Sequence, residues 1–507
     1  MDIALPLPRR AGLSAIRFRL PPALRVALAL AALAGGWHAT HVGAEADWDL
    51  RNYHLYDGFA LLRGRLGRDI APAQLQSFYA PLLDLLHALA LAALNRHPVL
   101  LGAVLALPQG LAAFLAFRLA GRLGLDAGPA AAAALIGVTG AAGTSCFASA
   151  MSEMLPASAL LGAILLAEGE TAGFAGLLAG AAVGMKLTAA PFAVGIAMVA
   201  ARRRRFALGA VAGAVASAGW WWAWLAWRYG DPVFPIYNQV FHSPWIAAVP
   251  FTDARFYPHG VLGALSRPLR WALWAAPLGS ELKLRDPRLA LGLLGLAGLL
   301  ARRHPLAPRL AAVWGVGYAL WAALFGIERY LVTLEVLSGP LLLGGLAPLF
   351  ARRNRGVALA AACVLAAAVM SWTVAPDWGH APPGPRAVAV HLPKLPPRSL
   401  VVMLDGAPMG YVAAFAPRDV RFLGANNNLL HPGAPGRLEA EVTRAIRTHA
   451  GPLWGLYSAR HRRGPVRAAL GAYRLAFAGR CRKVRSNLDA NALRICPLRR
   501  TDARSAR

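Results

Sequence analysis

Apolar stretches of about 20 residues recur from about residue 23 to about residue 374, and no other feature constrains the fold as strongly. A helix of that length matches the roughly 30 Å hydrocarbon core of a bilayer. A soluble core has no use for so many such stretches. Hydrophobic residues make up 57% of the 507-residue chain and charged residues only 15%, the balance of a membrane protein. Lipid offers backbone polar groups no partners, so spans satisfy them internally as helices. The expected fold is an all-α polytopic membrane protein.

The net charge of +29 would point to nucleic acid in a soluble chain. Here the basic residues sit at the ends of apolar segments, as the positive-inside rule requires. No recognition helix or stacking-aromatic pattern accompanies them, so nucleic acid is excluded as a partner. Nearly all are arginines; Lys186, Lys283, Lys394 and Lys483 are the only lysines. With the abundant alanine, this suggests a GC-rich bacterial genome and carries no mechanism. Arg9, Arg10, Arg17, Arg19 and Arg25 lead into the first apolar run. No convincing cleavage site follows, so the run reads as an uncleaved span with a cytoplasmic N-terminus.

The first span is expected over about 23–42, followed by an outer loop over about 43–97. Its later part, 81–94, is apolar but short, which suits a re-entrant or interfacial helix. Spans follow at about 98–120, 129–148 and 154–168. Residues 172–201 are too long for one crossing. They read as a hairpin entering and leaving from the cytoplasmic side, with Lys186 near its tip between Gly184 and Pro191. Arg202 and its three neighbours mark the cytoplasm. A span at about 206–227 ends in WWWAWLAW, an aromatic belt. A second outer loop covers about 228–287. Spans at about 288–301, 309–326, 331–350 and 356–374 complete about nine crossings plus the hairpin. The N-terminus then lies in the cytoplasm and the C-terminus outside, in the periplasm of a bacterial inner membrane.

Residues 1–375 thus form the membrane domain, 376–397 a Pro-rich linker, and 398–507 a small extracytoplasmic α/β domain. In that tail SLVVMLD reads as a buried strand, RFLGANNNLL as strand then turn, and 435–450 as helix. An external tail meets an oxidising compartment, which predicts a Cys481–Cys496 disulfide. Cys146 and Cys363 lie in apolar segments and read as packing residues.

The first loop reads EADWDLRNYHLYDGFALLRGRLGRDIAPAQLQSFYAPLLDLL. Asp49, Tyr53 and Asp57 are spaced to share one helix face. Asp47 and Asp49 stand two apart, so a turn presents both to one metal or one reacting hydroxyl. The bland alternative is a solvated surface helix. Against it, a carboxylate at a membrane interface is costly unless it pairs or faces a cavity. His242 and His259 are isolated, and no His or Cys spacing suggests structural zinc.

The loop resembles the first outer loop of the GT-C superfamily of membrane glycosyltransferases, and more closely an uncharacterised bacterial branch of it. Asp49 matches the acidic residue, Tyr53 the tyrosine that follows, Leu61, Leu62 and Gly64 the Leu-Leu-x-Gly step, and Pro81 with Leu82 the later Pro-Leu pair. Glu153 sits where a second acid often occurs. GLLAGAAVGMKLTAAP resembles the Gly-rich helix pair ending in Thr-Lys, with Met185 for the threonine and Lys186 for the lysine. GIERYLVTLEVLSGP resembles the late Arg-Tyr-x-x-Pro element through Arg329 and Tyr330, with Thr333 for the proline.

The resemblance implies an inverting transfer of a hexosyl or pentosyl unit from a polyprenyl-phosphate donor to a glycan, lipid or protein acceptor. Asp49 would be the general base, assisted by Asp47. Tyr53, Asp57, Glu153 and Tyr330 would bind substrate. Lys186, Arg255 and Arg329 would neutralise the leaving phosphate. Simpler roles compete: Lys186 snorkels, Arg329 pairs with Glu328 or Glu335, and Glu153 caps a helix. Whether a divalent cation takes part stays open, because two aspartates around one residue are a common pattern. The competing function is a transporter or flippase of lipid-linked sugars.

Overall fold

The computed structural model describes residues 20–351, 353–460, 463–488 and 492–501. Arg9, Arg10, Arg17 and Arg19 lie outside the described residues. The chain is mostly helical, with a small sheet near its C-terminus.

Among the described residues four helices are long and apolar enough to cross a membrane: Pro22–His41, Pro98–Arg122, Arg203–Tyr229 and Arg355–Trp372. That is fewer than the nine spans expected. The other apolar segments form shorter helices, including Ala127–Val138, Met154–Leu166, Leu187–Val199 and Arg288–Ala301. Composition had counted apolar length, whereas the backbone breaks inside it. After Ala127–Val138 a new helix starts at Ala141, and buried carboxylates take its first N–H groups. The Ala141 amide donates to Asp286 Oδ2 at 2.7 Å, and those of Ala142 and Gly143 to the two oxygens of Glu335 at 2.9 and 3.0 Å. Such partners replace the water that a helix start otherwise needs. Ala307–Leu324 has 18 residues but carries Arg309, Trp314, Tyr318 and Trp321, which lower its apolarity.

Residues 172–201 form the expected paired helices. Ala172–Met185 is followed by an extended break at Lys186 (φ −154°, ψ 116°) and then by Ala190–Val199. The end of the hairpin away from Lys186 is tied to the preceding helix, since the Ala201 amide donates to Ala167 O at 3.1 Å. Arg202 and Arg205 both pair with Glu170 at that end. Arg122 donates to Leu165 O at 2.8 Å and Arg302 to Gly344 O at 2.6 Å, so arginines gather at one end of the bundle. Lys186 lies at the other.

Small residues set the packing of the hairpin's first helix, Ala172–Met185, against the following helix, Arg203–Ala214. A Cβ on Gly180 would run into the carbonyl of Ala210, and one on Gly213 into the carbonyl of Leu177. Helices this close pack through backbone contact, as small-xxx-small faces do in membranes. Gly180→Leu is therefore expected to force the helices apart at a cost of about 1–3 kcal/mol, read as a lower thermal unfolding midpoint in detergent. An unchanged midpoint would contradict the tight contact.

The tail carries the expected strands at Leu400–Met403 and Arg421–Gly424 and the expected helix at Arg437–Thr448. Leu438, Val442 and Ile446 recur every fourth residue and are all buried. Leu400–Met403 lies between Arg421–Gly424 and Leu453–Ser458, parallel to both. Leu493–Arg500 continues the sheet antiparallel to Leu453–Ser458. Cys481 and Cys496 are disulfide-bonded as expected.

The sheet does not stand apart from the first loop. The Ile70 amide donates to Phe422 O at 3.0 Å, and the Gly424 amide to Ile70 O at 2.8 Å. Arg65, buried and paired with Asp69 at 2.7 Å, also donates to Val420 O at 2.8 Å. Apolar side chains of loop and sheet share one core that includes Tyr56, Phe59, Met403 and Phe422. In the second loop, Gly260–Leu273 leaves Val261, Leu262 and Leu265 exposed. An amphipathic helix with such a face suits the lipid interface.

Candidate active site

Asp49 stands at the start of a π-helical turn, Leu50–His54, which runs into the helix Leu55–Leu62. The wider π turn rotates the helix after it out of simple α-helical register with Asp49. Asp49 and Tyr53 stay on the bundle side. Asp57 is buried as well, and both Asp49 and Asp57 act on Tyr79, whose ring meets that of Tyr53. Asp57 is buried near Asp84, and burial first, then the Asp84 charge, pushes its carboxyl well above the usual range. The Leu-Leu-x-Gly step ends the helix, with Gly64 at φ +63°, a region glycine enters without strain.

Opposite Asp49 is Arg329, in the 3-10 turn Glu328–Leu331. Arg329 Nη1 lies 2.7 Å from Asp49 Oδ2, and its Nε lies 3.8 Å from Glu153 Oε1. The same Glu153 oxygen is 2.5 Å from Lys186 Nζ. Lys186 also donates to Met151 O at 3.1 Å. Asp49, Glu153, Lys186 and Arg329 thus converge from four separate segments. The Tyr330 ring lies 5.9 Å from Lys186 Nζ and 5.5 Å from the Arg329 guanidinium carbon. The Tyr53 and Tyr79 rings meet edge to face at 5.8 Å. The two cations keep 18–20% of their side-chain surface exposed, whereas Glu153 keeps 3%.

Three simpler roles are replaced. Lys186 does not snorkel away from the site. Arg329 pairs with Asp49, not with Glu328 or Glu335. Glu153 precedes the helix Met154–Leu166, but its side chain makes no capping bond. Its second oxygen is buried without a hydrogen-bond partner among the described residues.

Arg255 does not join the cluster. It is exposed, 2.5 Å from Asp253 and 3.9 Å from Glu281; both acids lie in its own loop, which explains why proximity in sequence won. Asp47 has a supporting position. Its Oδ1 accepts the Leu50 amide at 2.6 Å, and its charge acts on Glu45. Burial and then the Asp47 charge push the Glu45 carboxyl well up. Glu45 Oε2 accepts the Ala150 amide at 2.6 Å, tying the first loop to the turn that carries Met151 and Glu153. Among the described residues no group of three or more His, Cys, Asp or Glu is arranged to hold a metal.

Burial pushes the Asp49 carboxyl up, but Arg329, His54 and Lys186 outweigh it and hold it below the usual carboxylate range. Asp49 is therefore ionised at neutral pH and masked by a guanidinium. Behind it, His54 pairs with Asp84. Burial lowers the His54 pKa, and the Asp84 charge more than reverses this, leaving it raised. That pair stabilises the fold fully below the unfolded histidine value of about 6.5. The contribution is lost as pH rises through the raised folded value. His54→Asn is expected to flatten the alkaline decline of thermal stability; an equally steep decline would remove His54 from that role.

Sequence reasoning missed Glu45, Asp84, Asp286 and Arg288. Asp84 lies inside an apolar stretch, and an ionisable residue there was the available signal. No family model matches the chain, and neither a curated protein nor a solved structure matches it.

Proposed function

We propose that the protein is an inverting glycosyltransferase of the GT-C type, acting in a bacterial inner membrane with its site on the external side. The observation that carries this reading is the buried cluster in which two carboxylates, Asp49 and Glu153, are neutralised by Lys186 and Arg329. An anionic donor gives the two cations another partner. Its phosphate draws Arg329 and Lys186 from their acids and unmasks Asp49, whose basicity then rises. Asp49 takes the proton of the acceptor hydroxyl, and that oxygen bonds the anomeric carbon from the face opposite the phosphate. The carbon–oxygen bond to phosphate breaks, and its electron pair leaves on polyprenyl phosphate. Lys186 and Arg329 hold the charge that develops there.

The test is release of sugar from a polyprenyl-phosphate donor by membranes containing the protein, with movement of the lipid across the bilayer followed in parallel. Transfer with inversion is the expected result. Lipid movement without sugar release would replace this reading with the flippase. The Cys481–Cys496 bond supports an oxidising location for the tail. With the shorter helices Arg288–Ala301, Ala307–Leu324 and Val332–Gly345 crossing as well as the four long ones, reporter fusions after Arg205 and Arg355 are expected to read cytoplasmic, and one after Gly379 external. A cytoplasmic reading at Gly379 would reverse the orientation.

A further inference from the structure

The far edge of the C-terminal sheet carries a second concentration of charge, distinct from the Asp49 cluster. Residues 480–500 set a run of basic side chains against a single acid, Asp489. Arg482–Lys483 pairs antiparallel with Leu493–Arg500 in the register Arg482 with Ile495 and Lys483 with Arg494. This brings Arg480, Arg482, Lys483 and Arg494 around one concavity of ≈ 590 Å³, with Trp454, Pro497 and Cys481 completing its wall. The disulfide to Cys496 joins the two basic arms.

Like charges gather at a cost unless something offsets them. Among the described residues none of these four cations has an ion pair with a carboxylate. Trp454 adds an independent sign. Its side chain is buried, at 8% exposure, yet its Nε1–H has no acceptor among the described residues. Indole is donor only, and a buried donor without a partner is costly. The concavity therefore offers donors and positive charge, and its unmet need is an anionic acceptor.

The position narrows the choice. Arg485–Ser486 pairs with Val390–His391. Asn487 accepts the Ala389 amide at 2.7 Å and donates to Ala387 O at 2.8 Å. The same linker is bound by Asn95, which donates to Val388 O at 2.9 Å and accepts its amide at 2.8 Å. Asn95 lies three residues before Pro98–Arg122, a helix long and apolar enough to span the membrane. The basic arm is thus held near the end of that helix, where phosphate groups of lipids lie.

We propose that this concavity binds a phosphoryl anion. Arginine forks at 480, 482 and 494 take its oxygens in pairs, Lys483 adds a point charge, and Trp454 Nε1–H donates to it. The site does not depend on the glycosyltransferase reading. A lipid headgroup and free phosphate share this chemistry, and two arms of one experiment separate them. Full-length protein in neutral detergent is titrated with inorganic pyrophosphate by calorimetry. The same protein is reconstituted in nanodiscs of phosphatidylcholine, with and without phosphatidylglycerol, and its thermal unfolding is compared.

Saturable binding of pyrophosphate, or a raised unfolding midpoint with phosphatidylglycerol, is expected. The combined change Arg482→Ala, Lys483→Ala and Arg494→Ala should weaken it at least tenfold, or abolish the lipid shift. Trp454→Phe keeps the ring and removes the donor, and should weaken binding severalfold. An intact Cys481–Cys496 bond in each variant reports a folded tail. Wild type that neither binds pyrophosphate nor responds to phosphatidylglycerol would overturn the proposal. So would variants with an intact bond that bind or respond as wild type does.

Discussion

Asp49→Asn is expected to lower the rate of sugar transfer at least about 10²-fold, the low end for removal of a general base. Asparagine keeps the size and a hydrogen-bonding oxygen but cannot hold the acceptor's proton. The variant also releases Arg329 from its 2.7 Å partner, which leaves that guanidinium free for phosphate. Donor binding should therefore be retained or tightened while turnover falls. That split separates loss of a base from collapse of the site, because collapse would weaken both. Near wild-type turnover by Asp49→Asn would rule out the base assignment.

Lys186→Met should slow transfer about 10²- to 10³-fold, the effect of losing one donor to developing charge. It also strands Glu153, whose side chain is 3% exposed and 2.5 Å from Lys186 Nζ. Breaking a buried pair from one side costs about 3–5 kcal/mol, because an uncompensated charge remains. The second change Glu153→Gln removes that charge. The double variant should recover most of the lost thermal stability and none of the lost turnover. If turnover returned together with stability, Lys186 would be a structural residue and its role at the phosphate would fall.

The sequence made some of this legible and hid the rest. Apolar length and arginine position located the bundle, and the four long apolar helices lie close to where hydropathy put them. The breaks were hidden, because they depend on partners distant in sequence: Glu335 receives amides some 190 positions away. Lys186 was found because a lone cation between two helix halves is conspicuous. Arg255 was misplaced because charge alone says nothing of direction, and its own loop supplies the acids it meets. The π turn after Asp49 was hidden too, because four-residue spacing assumes a regular α-helix. The disulfide was legible from the external placement expected of the tail that holds Cys481 and Cys496.

The union of the first loop with the C-terminal sheet imposes an order on biosynthesis. Asp69 and Phe422, which hydrogen-bond at 2.9 Å, stand 353 residues apart. A ribosome adding about 5–20 residues per second needs roughly 20–70 s to cover that separation. Throughout that interval Tyr56 and Phe59, bound for a core shared with Phe422, lack the sheet side of that core. The emerging loop is then a client for chaperones on its side of the membrane, and the nascent chain stays open to proteolysis until its last strands arrive.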